Sequence, residues 1–178
     1  RCVAAWLLRE GAARADGFSL DGPGGRVAAR IEGEGIGIDM GIPDFASAAV
    51  GLARAQADSH GFDLGGEVIE AGAVSMGNPH AVIEVPDVAT APVERIGRAL
   101  QDDPAFADRC NVGFAQVLDV HTIRLRVYER GVGETLACGS GACAAVAVLA
   151  RRGLVGERVA VHLPGGVLHV QWPGPGHA

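Results

Sequence analysis

An alanine-rich apolar segment is the feature that most constrains the fold of this chain. Residues 142–150, ACAAVAVLA, follow a glycine-rich turn and precede Arg151, Arg152 and Gly153. The arginines suit the negative end of a helix dipole and the glycine suits an end cap, which predicts a helix that ends here. Because this helix is apolar nearly all round, other elements have to bury it on every side. It is too short to span a bilayer.

Several strands are predicted to surround this helix. Alternating apolar residues predict strands over residues 27–31, 36–40, 68–85 (two runs), 112–119, 122–129, 159–163 and 167–172. Helical spacing predicts one helix over residues 2–15, and a second helix that Thr90 caps, with Pro92 just inside it. Residues 44–63 fit neither pattern. The mixture predicts an α/β (α+β) fold.

Composition excludes several classes of function. The net charge of −6 argues against a nucleic-acid-binding surface and provides no basic anchor for an acidic membrane. The four cysteines, Cys2, Cys110, Cys138 and Cys143, show no Cys-x-x-Cys spacing, so no metal site is expected. A chain of this length is not a small disulfide scaffold, which favours free thiols in a reducing cytoplasm.

The turn before the helix, ACGSGA, places a thiol where chemistry is possible. A helix N-terminus is partly positive, so the sequence predicts a lowered pKa for Cys138. Backbone N–H groups at Gly139 and Gly141 could hold a carboxylate, an arrangement that suits acid–base work at an α-carbon. The plain alternative is a packed thiol in a tight turn. Ser140 is a poor nucleophile-elbow candidate, because the outer glycines of that motif are missing.

Glu129 ends the apolar face of a predicted strand. Ile123, Leu125 and Val127 precede it at alternate positions, so all four side chains point to one side. A carboxylate at such a place is costly unless it meets a partner, and a cationic partner is expected.

Three motifs resemble those of the diaminopimelate epimerase family. They are ERGVGETLACGSGACAA (residues 129–145), VSMGNPHAV (74–82) and RCNVGFAQV (109–117). The resemblance implies two similar lobes, each a curved mixed sheet wrapped around a central buried helix, with the active site between them. Residues 1–39 would be the tail of the first lobe, and residues 40–178 the second lobe without its closing segment.

The resemblance also implies a role for each matching residue. Cys138 would be one of two thiol acid/bases, with His80 and Glu129 tuning the thiols. The substrate would be bound by Asn78, Asn111, Glu129, Arg130, Gly139 and Ser140. Taken singly, several have ordinary explanations: Asn78 and Asn111 as turn residues, His80 as a core histidine, and Arg130 as a solvated strand end.

The implied activity is the interconversion of LL- and meso-2,6-diaminopimelate for lysine and peptidoglycan precursors, without pyridoxal phosphate or any other cofactor. The substrate is the expected small-molecule partner, no nucleic acid or membrane partner is expected, and the protein could form a homodimer.

Two alternative functions stay open. The protein could be another cofactor-independent racemase or isomerase of this fold, or a non-catalytic amino-acid-binding lobe.

Epimerisation needs a base on each face of the carbon, so a second thiol is expected. The family supplies it from Cys-Gly-Asn-Gly-x-Arg-Cys, and Arg1 and Cys2 resemble the last two residues of that motif. The partner thiol is therefore expected just before Arg1, and not at Cys2. On this interpretation the chain is an incomplete fragment that is inactive alone.

Overall fold

The computed structural model describes residues 2–14, 17–22, 25–33 and 35–177. Two units are distinct within it, Arg1–Gly41 and Ile42–His177. Their assignment to the tail of a first lobe and to a second lobe stays a prediction.

The described residues of the first unit form one helix and a three-stranded antiparallel sheet. The helix is α1 (Cys2–Arg9), and the strands are β1 (Phe18–Gly22), β2 (Gly25–Glu32) and β3 (Gly35–Asp39), in the order β1-β2-β3. The two predicted strands correspond to β2 and β3 and are confirmed, whereas β1 was not predicted.

The predicted helix over residues 2–15 is too long. Gly11 adopts a left-handed φ of 67°, which ends the helix. Its N–H donates to the Leu8 carbonyl at 3.1 Å, and the Ala12 N–H donates to the Leu7 carbonyl at 2.9 Å. This pair of bonds is the Schellman arrangement that closes helix C-termini. The last predicted residue, Ala15, lies outside the described residues.

The second unit is built on an eight-stranded mixed sheet. Its strands are β4 (His60–Asp63), β5 (Val68–Ser75), β6 (Pro79–Glu84), β7 (Asn111–Asp119), β8 (Thr122–Glu129), β9 (Gly133–Thr135), β10 (Arg158–Leu163) and β11 (Gly166–Gln171). The order is β11-β10-β8-β7-β6-β5-β4, and β9 pairs with β8. The β6–β7 and β8–β10 pairs are parallel, and the others are antiparallel. The α+β prediction and its strand hairpins are confirmed.

The alanine-rich segment forms the buried helix α4 (Gly139–Arg151), which packs against β5, β6, β7, β8 and β11. Ala142, Ala144, Ala145, Ala147 and Leu149 are completely buried. Small side chains allow strands to approach closely, and at Gly72 on β5 even a Cβ would lie 2.5 Å from Val148. The prediction of a helix buried by surrounding elements is confirmed, although it begins three residues earlier than expected.

The other face of the sheet is covered by α3 (Val93–Gln101). The predicted Thr90 cap is wrong: Pro92 occupies the cap position, and no side chain caps the helix. The Thr90 hydroxyl donates to Asp87 instead, at 3.2 Å from Oδ2. Asp87, two residues before Ala89, also accepts that residue's N–H, so a local turn competes with the cap.

Residues 44–63, which fitted no pattern, form the short helix α2 (Ser47–Val50) and β4. No helix in the described part of the chain is long and apolar enough to cross a membrane.

Candidate active site

The predicted site residues come from three separated segments that the sheet brings together. Asn78 and His80 lie at the start of β6, Asn111 begins β7, and Glu129 ends β8. His80 and Asn111 are paired in the parallel β6–β7 register, and β8 lies beside β7. Cys138 is the N-cap residue of α4. These positions follow from strand order, which a single sequence does not reveal.

Cys138 faces a carboxylate. Its Sγ donates to Glu129 Oε2 at 3.4 Å and lies 3.7 Å from Ser140 Oγ. The thiol is buried, with only 7% of the residue exposed. The arrangement couples a thiol to an acceptor within proton-transfer reach, at the positive end of a buried helix.

The prediction of a lowered pKa at Cys138 is wrong. Burial raises the pKa of this thiol, because the thiolate is poorly solvated there. The Ser140 hydroxyl and the Gly141 N–H lower it, while the Glu129 carboxylate raises it further, and the net pKa lies above the ordinary value. At neutral pH Cys138 is therefore a protonated thiol rather than a ready thiolate.

Among the described residues no cation pairs with Glu129, so the expected cationic partner is not found there. The Thr135 hydroxyl donates to Glu129 Oε1 at 2.5 Å, and the Cys138 thiol takes the other oxygen. Arg130 points elsewhere: its Nη1 lies 2.6 Å from Asp108 Oδ2 and 2.8 Å from the Asp108 carbonyl. Two uncharged donors can satisfy a carboxylate that is only partly buried, so no cation is needed.

Asn111 ties the three segments together. Its Nδ2 donates to the Pro79 carbonyl at 3.2 Å, and its Oδ1 accepts the Arg130 N–H at 2.9 Å. The residue is only 4% exposed. The side chain begins a strand and bridges two neighbours, so it is not a simple turn residue. Whether it also binds substrate stays a prediction.

Replacing Asn111 by Ala is expected to destabilise the protein. Two partly buried backbone groups, the Pro79 carbonyl and the Arg130 N–H, would lose their partner, at a cost of about 1 kcal/mol each. The matched control is Gln116→Ala on the same strand, because Gln116 makes the same kind of bridge, to the Pro86 carbonyl at 3.0 Å and the Val88 N–H at 3.3 Å, but is half-buried. Urea unfolding should show the larger loss for Asn111→Ala, and equal losses would contradict this account.

His80 is a buried, neutral histidine. Burial, and then the nearby Arg130, lower its pKa to about 4. Its Nε2 lies 3.1 Å from Asn78 Oδ1, which can only accept, so Nε2 carries the proton. Among the described residues no hydrogen bond joins His80 to Cys138. The predicted influence of His80 on the thiols therefore stays a prediction.

The first turn of α4 presents unused donors. The N–H groups of Gly139 and Ser140 have no acceptor among the described residues, whereas the Ala142 N–H bonds the Cys138 carbonyl at 3.0 Å. Free N–H groups at a helix N-terminus suit a carboxylate. This geometry is consistent with the binding role that the resemblance implies for these two residues.

Thr135, which holds Glu129, was not identified from the sequence, and Gly141 was given a different role. Its N–H was expected to hold a carboxylate, but it bonds the Cys138 thiol, and a Cβ at this position would lie 3.2 Å from Cys138 Sγ. Both lie inside the quoted ETLACGSGA stretch, and the short strand β9 was not predicted. The hairpin register Val127↔Thr135 would have been the signal.

The chain is similar in sequence to known diaminopimelate epimerases. The family model described as diaminopimelate epimerase matches residues 72–178. Diaminopimelate epimerases of Xanthomonas axonopodis pv. citri (strain 306) and Xylella fastidiosa (strain M12) are each 53% identical, over 98% and 97% of this chain. The chain spans 62% of the length of both relatives.

Solved structures show the same fold at low identity. A probable proline racemase from Agrobacterium radiobacter K84 superposes with a TM-score of 0.66 at 18% identity, covering 93% of this chain and 55% of its own. A hydroxyproline epimerase from Agrobacterium vitis gives a TM-score of 0.63 at 16% identity, covering 97% and 57%. The predicted epimerase-like fold is confirmed.

Proposed function

Because the chain belongs to the diaminopimelate epimerase family, we propose that the protein carrying it interconverts LL- and meso-2,6-diaminopimelate by thiol acid–base catalysis. The observation that carries the proposal is the Cys138 thiol, 3.4 Å from Glu129 at the N-terminus of a buried helix. The 53% identity of this chain to diaminopimelate epimerases supports diaminopimelate as the substrate.

Cys138 would act first as an acid. Since its raised pKa keeps it protonated at neutral pH, it can deliver a proton to one face of an α-carbanion. In the opposite direction it must lose its proton before it can abstract one, and the nearest acceptor is the Glu129 carboxylate. Catalysis then depends on a pair that shares one proton between sulfur and oxygen.

The substrate would be oriented by donors around this pair. The free N–H groups of Gly139 and Ser140, with the Ser140 hydroxyl, would hold the α-carboxylate next to Cys138. Asn78, Asn111 and Arg130 would contact the amino-carboxylate groups. Arg130 would have to exchange part of its bond to Asp108, whose side chain is 90% exposed, so that bond is a weak competitor.

A second acid/base is required for the other face of the carbon, and we propose that it is a second thiol. The four cysteines of this chain are free thiols, which supports a cytoplasmic protein. A homodimer also stays a prediction.

Proton exchange tests the proposed function directly. In D₂O the protein that carries this chain should incorporate deuterium at the α-carbon of LL- or meso-diaminopimelate and interconvert the two isomers. Proline and hydroxyproline serve as comparison substrates, because the two solved structures of this fold are named a probable proline racemase and a hydroxyproline epimerase. Exchange on proline without exchange on diaminopimelate would overturn the substrate assignment, and no exchange on any of them would favour a binding lobe.

A further inference from the structure

The hairpin of β8 and β9 brings Thr135 to Glu129. Thr135 pairs with Val127 across the hairpin. Paired side chains share one face of a sheet, and Glu129 follows Val127 by two positions on that face. Thr135 is therefore the diagonal neighbour of Glu129, close enough for its hydroxyl to donate to Oε1 at 2.5 Å.

The opposite face of the hairpin fixes β9 in place. Glu134, next to Thr135, accepts two bonds from Arg126 on β8, at 2.6 Å from Nε and 2.8 Å from Nη2. Arg126 Nη1 also donates to the Val88 carbonyl at 3.0 Å, which ties the hairpin to the loop before α3. A bidentate pair anchored in this way holds the short strand, and with it the Thr135 hydroxyl, in one position.

A carboxylate has two equivalent oxygens and rotates freely unless each is held. Glu129 is only partly buried, so without Thr135 its carboxylate could turn toward water. We propose that Thr135 is a positioning residue: its hydroxyl holds Oε1 of Glu129, so that Oε2 faces the Cys138 thiol. This inference rests on the proposed function of Cys138, but it concerns a contact that exists without substrate.

The Thr135 contact has a chemical consequence at sulfur. Glu129 on β8 and Cys143 on α4 are the ionisable groups that interact electrostatically with Cys138, and the Glu129 carboxylate raises the pKa of the thiol. If the carboxylate turns away, that contribution is lost and the pKa of Cys138 falls. The thiolate fraction below the pKa then rises, and the rate of alkylation rises with it.

Alkylation of Cys138 measures this effect without any substrate. The protein is treated with iodoacetamide over a range of pH, and peptide mass spectrometry separates Cys138 from the other three cysteines. Thr135→Val, which keeps the shape and removes the hydroxyl, should alkylate Cys138 about threefold faster or more near neutral pH. Thr135→Ser keeps the hydroxyl and should stay within about twofold of the wild type. The proposal would be overturned if the pH dependence of Cys138 alkylation in Thr135→Val matched the wild type or shifted to higher pH.

Two further variants separate positioning from packing. In a Glu129→Gln background, Thr135→Val should cause no additional change, because the carboxylate it positions is absent. Thr135→Ala repeats the hydroxyl deletion if the Val variant does not fold. In the exchange assay Thr135→Val should lower kcat about tenfold with little change in KM. If alkylation responds as expected but no epimerisation is found in the wild type, the proposed function fails and the positioning role stands.

Discussion

Replacing Cys138 by Ser is expected to reduce epimerisation of diaminopimelate by about 10²–10⁴-fold, the usual contribution of a positioned acid or base. Serine is nearly isosteric, and its hydroxyl could still donate to Glu129, so the fold and the hydrogen bond should survive. A hydroxyl is, however, far less acidic than a thiol and cannot exchange a proton with a carbanion at a comparable rate.

The measurement is deuterium incorporation at each stereocentre, started separately from the LL and the meso isomer. Cys143→Ala is the matched control: this thiol lies on the same helix and makes no hydrogen bond to Glu129 among the described residues. Burial raises the pKa of Cys143 to about 11, and the Glu129 carboxylate that can take the proton of Cys138 is not bonded to this thiol. If Cys138→Ser retained wild-type exchange at both stereocentres, Cys138 would have no catalytic role.

Replacing Gly141 by Ala should impair the site without removing any functional group. The added Cβ would lie 3.1 Å from Val127 Cγ2 and 3.2 Å from both Cys138 Cβ and Sγ. Val127 is completely buried on β8 and cannot retreat, so the thiol has to move. Alanine favours a helix by up to about 1 kcal/mol over glycine, which partly offsets an overpacking cost of about 1–3 kcal/mol.

The displaced thiol would separate from the Gly141 N–H, which lowers the pKa of Cys138 in the wild type. Its pKa should therefore rise, alkylation should slow, and epimerisation should fall by about tenfold or more, since small misplacements of reacting groups are costly. Gly113→Ala on β7 is the control, because its Cβ would make only an ordinary 3.4 Å contact with Leu125. Wild-type alkylation and turnover in Gly141→Ala would contradict this account.

The sequence predicted the elements whose patterns are local. The α4 helix, the β7–β8 hairpin and the apolar face ending at Glu129 follow from periodicity, because side-chain spacing reports which face is buried. The C-terminal end of α1 and the cap of α3 were predicted wrongly, since a left-handed glycine and a competing turn at Asp87 decided them.

A candidate set of site residues was predictable, and their roles stay predictions, whereas the geometry of the site was not predictable. The motif resemblance identified Cys138, Glu129 and Asn111, and the sheet brings their segments together. It did not reveal that burial would outweigh the helix N-terminus at the thiol, or that a hydroxyl would replace the expected cation at Glu129. Both depend on long-range packing, which decides how much water reaches a charge.

The Asn111 bridge has a consequence for protein engineering. A graft of residues 128–143 into another scaffold would transfer Cys138, Glu129 and Thr135 as one continuous piece. It would leave behind the amide that holds the Arg130 N–H, and with it the link to the Pro79 carbonyl. The smallest set of elements that would transfer the candidate site intact is therefore discontinuous in sequence. It consists of the neighbouring strands β6, β7 and β8, together with the first turn of α4.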